Sequence, residues 1–221
     1  MNLEELEFKN LGIDKEKFGK IYSFVDFGNV NYWFEKDRVN FDGLLLDRVN
    51  KLCVSIEKLS SFVELFSEEK RFYYGLDQRN KSTWHITNLA CRYGFLVFKK
   101  TIQWVKHYLS SNETFKDSRR VSGVKRNQQG FYIEIPKCNF DVEITIDAVR
   151  LSKYYDTIAL FSGDSDFAAL LGFLRKKNKK IILFYSGNLS HRIKNHVDLL
   201  INAQRIKDAI CFIKSIKKNP L

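Results

Sequence analysis

Residues 157–167 read Thr157-Ile-Ala-Leu-Phe-Ser-Gly-Asp-Ser-Asp-Phe167, and this stretch decides how the chain folds. Ile158 to Phe161 is an apolar run of the length expected for a strand buried on both faces. Ser162-Gly163 breaks the run, and Asp164 and Asp166 follow at once. Phe167, Ala168, Leu170, Leu171 and Leu174 then recur at helical spacing. A strand, a tight turn with two carboxylates and a helix thus follow without slack. In an open α/β sheet such a turn lies at the carboxyl end of the strand, where ligand crevices form. Helix capping explains one of these acids; the second needs another reason.

Outward from this unit the chain alternates strands with helices. Lys20 to Asp26 reads as the first strand and ends in Phe27-Gly28-Asn29-Val30-Asn31, a turn of Gly and Asn. Asp26 therefore occupies the position that Asp164 takes later. Phe41 to Leu59, with Leu44, Leu45, Val49, Leu52, Ile56 and Leu59, predicts an amphipathic helix. Arg71 to Gly75 predicts a second strand, Ser82 to Tyr93 a helix stopped by Gly94, and Phe95 to Phe98 a third strand. Asp141 to Tyr155 predicts a helix with Asp141 at its start, where the exposed N–H groups and dipole favour a carboxylate. Lys180 to Tyr185 predicts a further strand, Leu189 to His196 a short helix, and Gln204 to Ile216 a terminal helix. The expected fold is α/β, with three α-β-α layers around a mainly parallel central sheet of about five strands.

Residues 100–136 interrupt the alternation. Thr101 to Tyr108 and Gly130 to Ile135 read as the arms of a basic hairpin or flap, with Arg119, Arg120, Lys125 and Arg126 near its tip. Trp104, Tyr108, Phe131 and Tyr132 are interleaved with those cations, as in surfaces that stack unpaired bases, although aromatics on alternating strand positions more often pack a core.

The 221 residues, 44% hydrophobic with only 2 prolines, suit one folded domain with an elaboration. Residues 1–19 read as an extension, 20–203 as the domain and 204–221 as the terminal helix. The net charge of +11 is uneven: residues 99–137 carry 9 Lys/Arg against 3 Asp/Glu, and residues 175–221 carry 12 against 2. The rest of the chain holds the acid pairs and is net acidic. Basic segments around an acidic centre fit an enzyme that holds a polyanion and works through a cation. The acidic start, Met1-Asn-Leu-Glu-Glu-Leu-Glu, lacks the apolar segment of a secretory signal, and no apolar run approaches roughly 18 residues. Cys53, Cys91, Cys138 and Cys211 form no Cys-x-x-Cys pair, which argues for buried free thiols in a cytoplasmic protein. Oligomeric state, a homodimer included, is open at this level.

Asp26, Asp141, Asp164 and Asp166 all stand where strands or helices end, and right-handed crossovers put such ends on one edge of the sheet. At about 4 Å, each ionised pair would repel by roughly 4 kcal/mol at an effective dielectric of ~20. A hard cation such as Mg²⁺ or Mn²⁺ would neutralise the cluster and activate water for attack on a phosphodiester.

Four blocks carry a resemblance: Phe24-Val-Asp-Phe-Gly-Asn-Val30, Lys137 ahead of Asp141-Val-x-x-x-x-Asp147, Leu160-Phe-Ser-Gly-Asp-Ser-Asp-Phe167, and Ser190 ahead of Asp198. In this order they resemble the NYN domain of the LabA-like branch, within the PIN-like nuclease superfamily. The resemblance implies a PIN-like fold and a Mg²⁺- or Mn²⁺-dependent ribonuclease acting on single-stranded or loop RNA, with single-stranded DNA the other candidate substrate. It implies that Asp26, Asp141, Asp164 and Asp166 hold the metal, and that Asn29 supports the first acid. Asp147 matches a frequent second acid of the helix motif. On an ideal helix, however, it lies about 240° from Asp141, so both face one metal only if Asp141 is outside the helix; an ion pair with Arg150 is the alternative. Ser162 and Ser190 lack a base partner and read as loop caps or phosphate contacts. Lys137, Ser190 and Arg192 join Arg119, Arg120, Lys125 and Arg126 as expected nucleic-acid contacts. The Lys137 to Asp141 spacing is one residue longer than the family's, and the basic insertion is larger.

Two other functions fit the same residues: an inactive nucleic-acid-binding module, and a metal-dependent phosphatase acting on a small phosphate ester. An aspartyl-phosphate enzyme is disfavoured, because Asp26 is followed by Phe27-Gly28 instead of the Asp-x-Asp such chemistry uses.

Overall fold

Six parallel strands form the centre of the molecule in a computed structural model that describes residues 10–47, 49–109 and 122–215. They are β1 (Ile21–Asp26), β3 (Glu69–Leu76), β4 (Leu96–Thr101), β8 (Thr157–Phe161), β9 (Lys180–Tyr185) and β10 (Leu199–Asn202), in the order β10-β9-β8-β1-β3-β4. The chain builds outward from β1 through β3 to β4, then returns to place β8 against the other side of β1 and continues to β9 and β10. Strand order therefore reverses between β1 and β8, the position at which parallel sheets form ligand crevices at their carboxyl ends.

The apolar runs make this sheet central. All five residues of β8 are buried, as are Ile181 to Phe184 of β9. Phe161 and Phe184 stack across that pair with ring centroids 4.0 Å apart, an arrangement that stabilises neighbouring strands by about 0.5–1 kcal/mol. One face of the sheet packs on α1 (Lys15–Phe18), α2 (Phe27–Val30), α3 (Ile56–Glu64) and α4 (Ser82–Arg92), through Phe18, Phe27, Leu59, Val63 and Ala90. The other packs on α5 (Asp141–Leu151), α6 (Ala168–Lys176) and α7 (His191–Lys194), through Ile144, Ala148, Leu171, Leu174 and Ile193. The three expected layers are present, with six parallel strands where the sequence suggested five. Leu199–Asn202 is too short to declare itself alone; it becomes a strand by pairing with β9 from Ile182 to Tyr185.

Two expected helices are mostly replaced by other structure among the described residues. Phe41 to Leu59 is a turn, then β2 (Asn50–Val54), with helix only from Ile56. Asn40 Oδ1 accepts from the Asp42 and Leu44 amides at 2.9 and 2.8 Å, and Gly43 has φ +78°, so the chain reverses where the helix was expected. Leu44 and Leu45 are 65% and 82% exposed, and the helical spacing that included them was coincidental. Gln204 to Ile216 likewise is not one helix. Within the described residues it comprises a 3₁₀ turn (Ala203–Ile206), one turn of helix, α8 (Lys207–Ile210), and β11 (Cys211–Ser215). β11 pairs antiparallel with β2, Cys211 opposite Val54 and Ser215 opposite Asn50. Each segment supplies the other's missing hydrogen-bond partners, a long-range gain that outweighs weak local propensity.

The basic insertion forms a three-stranded antiparallel sheet, β5 (Gln103–Tyr108), β7 (Gly130–Lys137) and β6 (Lys125–Asn127), in that order. Arg119 and Arg120 lie outside the described residues. The flap is anchored at its base: Glu134 Oε2 accepts from Arg79 and Lys125, both at 2.7 Å, and Arg79 lies 4.3 Å over the Trp104 ring. Trp104 Nε1 also donates to Asp77 at 3.2 Å, so this tryptophan ties the flap to the domain. The cysteines are free, as expected, yet only Cys211 is buried and Cys91 is exposed.

Candidate metal centre

Three carboxylates meet at the strand-order reversal. Asp141, Asp164 and Asp166 each offer an oxygen, and these oxygens all lie within 4.8 Å of one another. Asp164 ends the Ser162-Gly163 turn after β8 and Asp166 lies in the 3₁₀ turn Ser165–Phe167 that leads into α6. Asp141 is the first residue of α5. An Asx turn fixes it, with Asn139 Oδ1 accepting from the Asp141 amide at 2.7 Å and Asn139 Nδ2 donating to Asp141 Oδ2 at 2.6 Å.

Asp26, at the end of β1, lies beside this group and not within it. Ser162 links the two: its Oγ donates to Asp26 Oδ2 at 3.2 Å and accepts from the Asp164 amide at 3.3 Å. Burial, and secondarily the Asp141 and Asp164 charges, push the Asp26 carboxyl up to about 6, against the opposing hydrogen bond from Ser162. Asp141 is raised for the same reasons, burial first and then the charges of Asp164 and Asp166, with Asn139 opposing. Asn29 Oδ1 accepts from Trp33 Nε1 at 2.8 Å and from the Gly163 amide at 3.2 Å, so it fastens the acid-bearing turn to the segment after β1. Gly163 fits because a Cβ there would come within 3.3 Å of the Ser186 carbonyl oxygen. In the same turn Asp164 Oδ1 accepts from the Asp166 amide at 3.0 Å. The cap and the acid pair are thus one arrangement: capping leaves Asp164 Oδ2 available to a ligand.

The donor set fits a hard cation. Oxygens around an ion at about 2.1 Å are separated by roughly 3–4 Å, so the three carboxylates need close in only slightly. The set contains no sulfur or imidazole to favour a softer metal.

Asp147 does not join the cluster. It is buried, and Oδ2 accepts from Arg71 and from the Tyr73 hydroxyl, both at 2.8 Å. Oδ1 accepts from Arg150 at 3.0 Å, so the expected Arg150 pair is present within a larger network. Asp198 lies apart as well, accepting from the Ile181 amide at 2.8 Å. Ser190 caps α7, accepting from the Arg192 amide at 3.1 Å. Lys137 is exposed at the end of β7, while Lys125 is paired with Glu134 and Arg126 lies over Phe131.

Sequence reasoning missed two neighbours. Asn139 orients Asp141, and its position two residues ahead of an acid at a helix start was a usable signal. Lys100 pairs with Glu143 at 2.7 Å, lies over the Phe140 ring and acts electrostatically on Asp141. Its presence here depends on β4 running three residues past the expected strand, to Thr101.

Comparisons with known proteins bear on the family and the fold. The NYN domain family matches residues 20–204. Low amplitude and bright protein LabA of Synechococcus elongatus is 35% identical over 75 residues, a segment covering 34% of this chain and 40% of that protein. The crystal structure of a protein of unknown function from Vibrio parahaemolyticus superposes with a TM-score of 0.57 at 18% identity, covering 90% of this chain and 100% of that one, a likeness of fold. No helix among the described residues is long and apolar enough to cross a membrane.

Proposed function

We propose, from the premise that the chain belongs to the NYN domain family, that it is a divalent-metal-dependent ribonuclease hydrolysing phosphodiester bonds of single-stranded or loop RNA. The observation that carries this reading is the meeting of Asp141, Asp164 and Asp166, oxygens within 4.8 Å, where the strand order reverses. These three would hold Mg²⁺ or Mn²⁺. Bound there, the ion would neutralise the acids, activate water and offset charge developing on the phosphate.

The chain's own residues prepare that chemistry. Asn29 and Ser162 hold the turn so that Asp164 and Asp166 face Asp141. Asp26, fixed by Ser162, orients the attacking water and takes its proton at a carboxylate oxygen. Cations of the flap and of the 175–221 segment supply the attraction for the phosphate backbone. The family and the basic surroundings favour RNA over a small phosphate ester.

The test compares hydrolysis of labelled single-stranded RNA, single-stranded DNA and a generic phosphomonoester, with Mn²⁺ and with chelator. RNA cleavage that requires Mn²⁺ is expected. Turnover of the phosphomonoester alone would sink the reading, as would RNA affinity with no cleavage under any metal.

A further inference from the structure

A groove runs sideways from the acid cluster between α6 and α7. Its volume is about 760 Å³, and its walls include Asp166, Ala168, Ala169, Arg192, Asn195 and His196. Asp166 belongs to both groove and cluster, so whatever occupies the groove lies against the acids. The volume falls within the range of small-ligand sites and admits a nucleotide unit with room for water.

The wall chemistry narrows the occupant. Ala168 and Ala169 give one side little relief. Nearby, Gly172 lets His196 approach α6 closely: a Cβ there would stand 3.2 Å from Nε2. Arg192 is exposed and offers a planar fork suited to a phosphate. Asn195 carries an amide that both donates and accepts, the pairing that reads a base edge. Histidine is the one aromatic among these wall residues, so recognition here rests on hydrogen bonds more than on stacking. With Asp166 at one end and Arg192 in the same groove, a free small anion would meet a repelling carboxylate. An extended strand would span both, with a phosphate on Arg192 and the scissile bond at the acids.

We infer that this groove takes the RNA nucleotide next to the scissile phosphate, with Arg192 holding a phosphate while Asn195 reads the base edge, giving the chain a base preference at one position. The inference rests on the hydrolytic reading for the meaning of "scissile", but its test does not. Fluorescence anisotropy of the intact protein in chelator, with labelled homopolymeric oligoribonucleotides of each base, measures the groove directly. Arg192→Gln is expected to weaken every oligomer by about fivefold to tenfold and to lower the slope of log K against log salt by about one. Asn195→Ala is expected to keep that slope and to shrink the ratio between best and worst base by at least about fivefold. Both residues are exposed, so neither substitution threatens the fold. Affinity within twofold and an unchanged slope in Arg192→Gln overturns the inference, as does an equal affinity of the unmodified protein for all four bases. Both signatures without Mn²⁺-dependent cleavage would overturn the hydrolytic reading and keep the groove; cleavage with neither signature would do the reverse.

Discussion

Helix α5 carries two aspartates six residues apart that live in opposite circumstances. Asp147 is buried and surrounded by donors, namely Arg71, Arg150 and the Tyr73 hydroxyl. Asp141, about one and two-thirds turns earlier, shares its space with Asp164 and Asp166, and its main donor is the neutral Asn139. The fold supplies counter-charge to the first and further acid to the second. A carboxylate whose partners come from the protein contributes to structure; one surrounded by carboxylates is satisfied only by protons or a cation.

The largest effect should come from the paired side of this contrast. Asp147→Ala removes one of the two carboxylates on the buried Arg71 guanidinium, which keeps Glu69 at 2.6 Å, and strips the Tyr73 hydroxyl of its acceptor; it should reduce unfolding free energy by about 3 kcal/mol in urea titrations. A loss below about 1 kcal/mol would mean that Asp147 is no more structural than Asp141. Asp164→Asn tests the unpaired side. Hydrolysis should fall at least about 100-fold, since outer partners of a metal site alone cost 10- to 100-fold, while the metal-free protein should unfold no more easily than before. Loss of stability comparable to Asp147→Ala would erase the distinction.

A smaller effect sharpens the contrast through pH. The folded-state pKa of Asp26, pushed up to about 6, lies above its ordinary value of 3.8. The metal-free folded protein therefore binds more protons than the unfolded chain between these values. The stabilisation from protonated Asp26 is complete below pH 3.8 and lost as pH rises through 6, a change of at most about 3 kcal/mol. Asp26→Asn should accordingly raise the thermal midpoint at pH 7.5 in chelator and leave it nearly unchanged at pH 4. Saturating Mn²⁺ should raise the midpoint of the unmodified protein by mass action and shrink the advantage of the variant. The smallest effect concerns the flap. Lys125 already neutralises Glu134, so Lys125→Gln should alter the salt dependence of RNA binding less than Arg126→Gln, which should lower the slope by roughly one.

The same contrast separates what local sequence encodes from what it does not. The strand-turn-helix unit at 157–174 was legible because its signals are local: an apolar run, Ser162-Gly163, and leucines at helical spacing. The flap arms were legible through their alternation. Leu44 and Leu45 misled, because helical spacing appeared by chance in a segment whose shape is set by the Asn40 side chain. Phe212 and Ile213 fall in a stretch whose local sequence reads as helix, because β11 exists only through the β2 edge. Among the candidate site residues, Asp141, Asp164, Asp166 and the linking Ser162 and Asn29 stand together. Asp26 is a neighbour of the acid trio, and Asp147 is drawn into a separate network by Arg71, a residue 76 positions away.

The order of residues by itself determined the alternation of strands and helices, the excess of positive charge and the placing of acids where strands and helices end. These follow from side-chain period, turn chemistry and composition, which act between near neighbours. Tertiary structure alone decided which acids share a cation-sized space and which is matched to arginine. Those distances depend on strand order and on side chains brought in from remote segments, and electrostatic energy at a few ångströms is sensitive to shifts that local sequence does not encode.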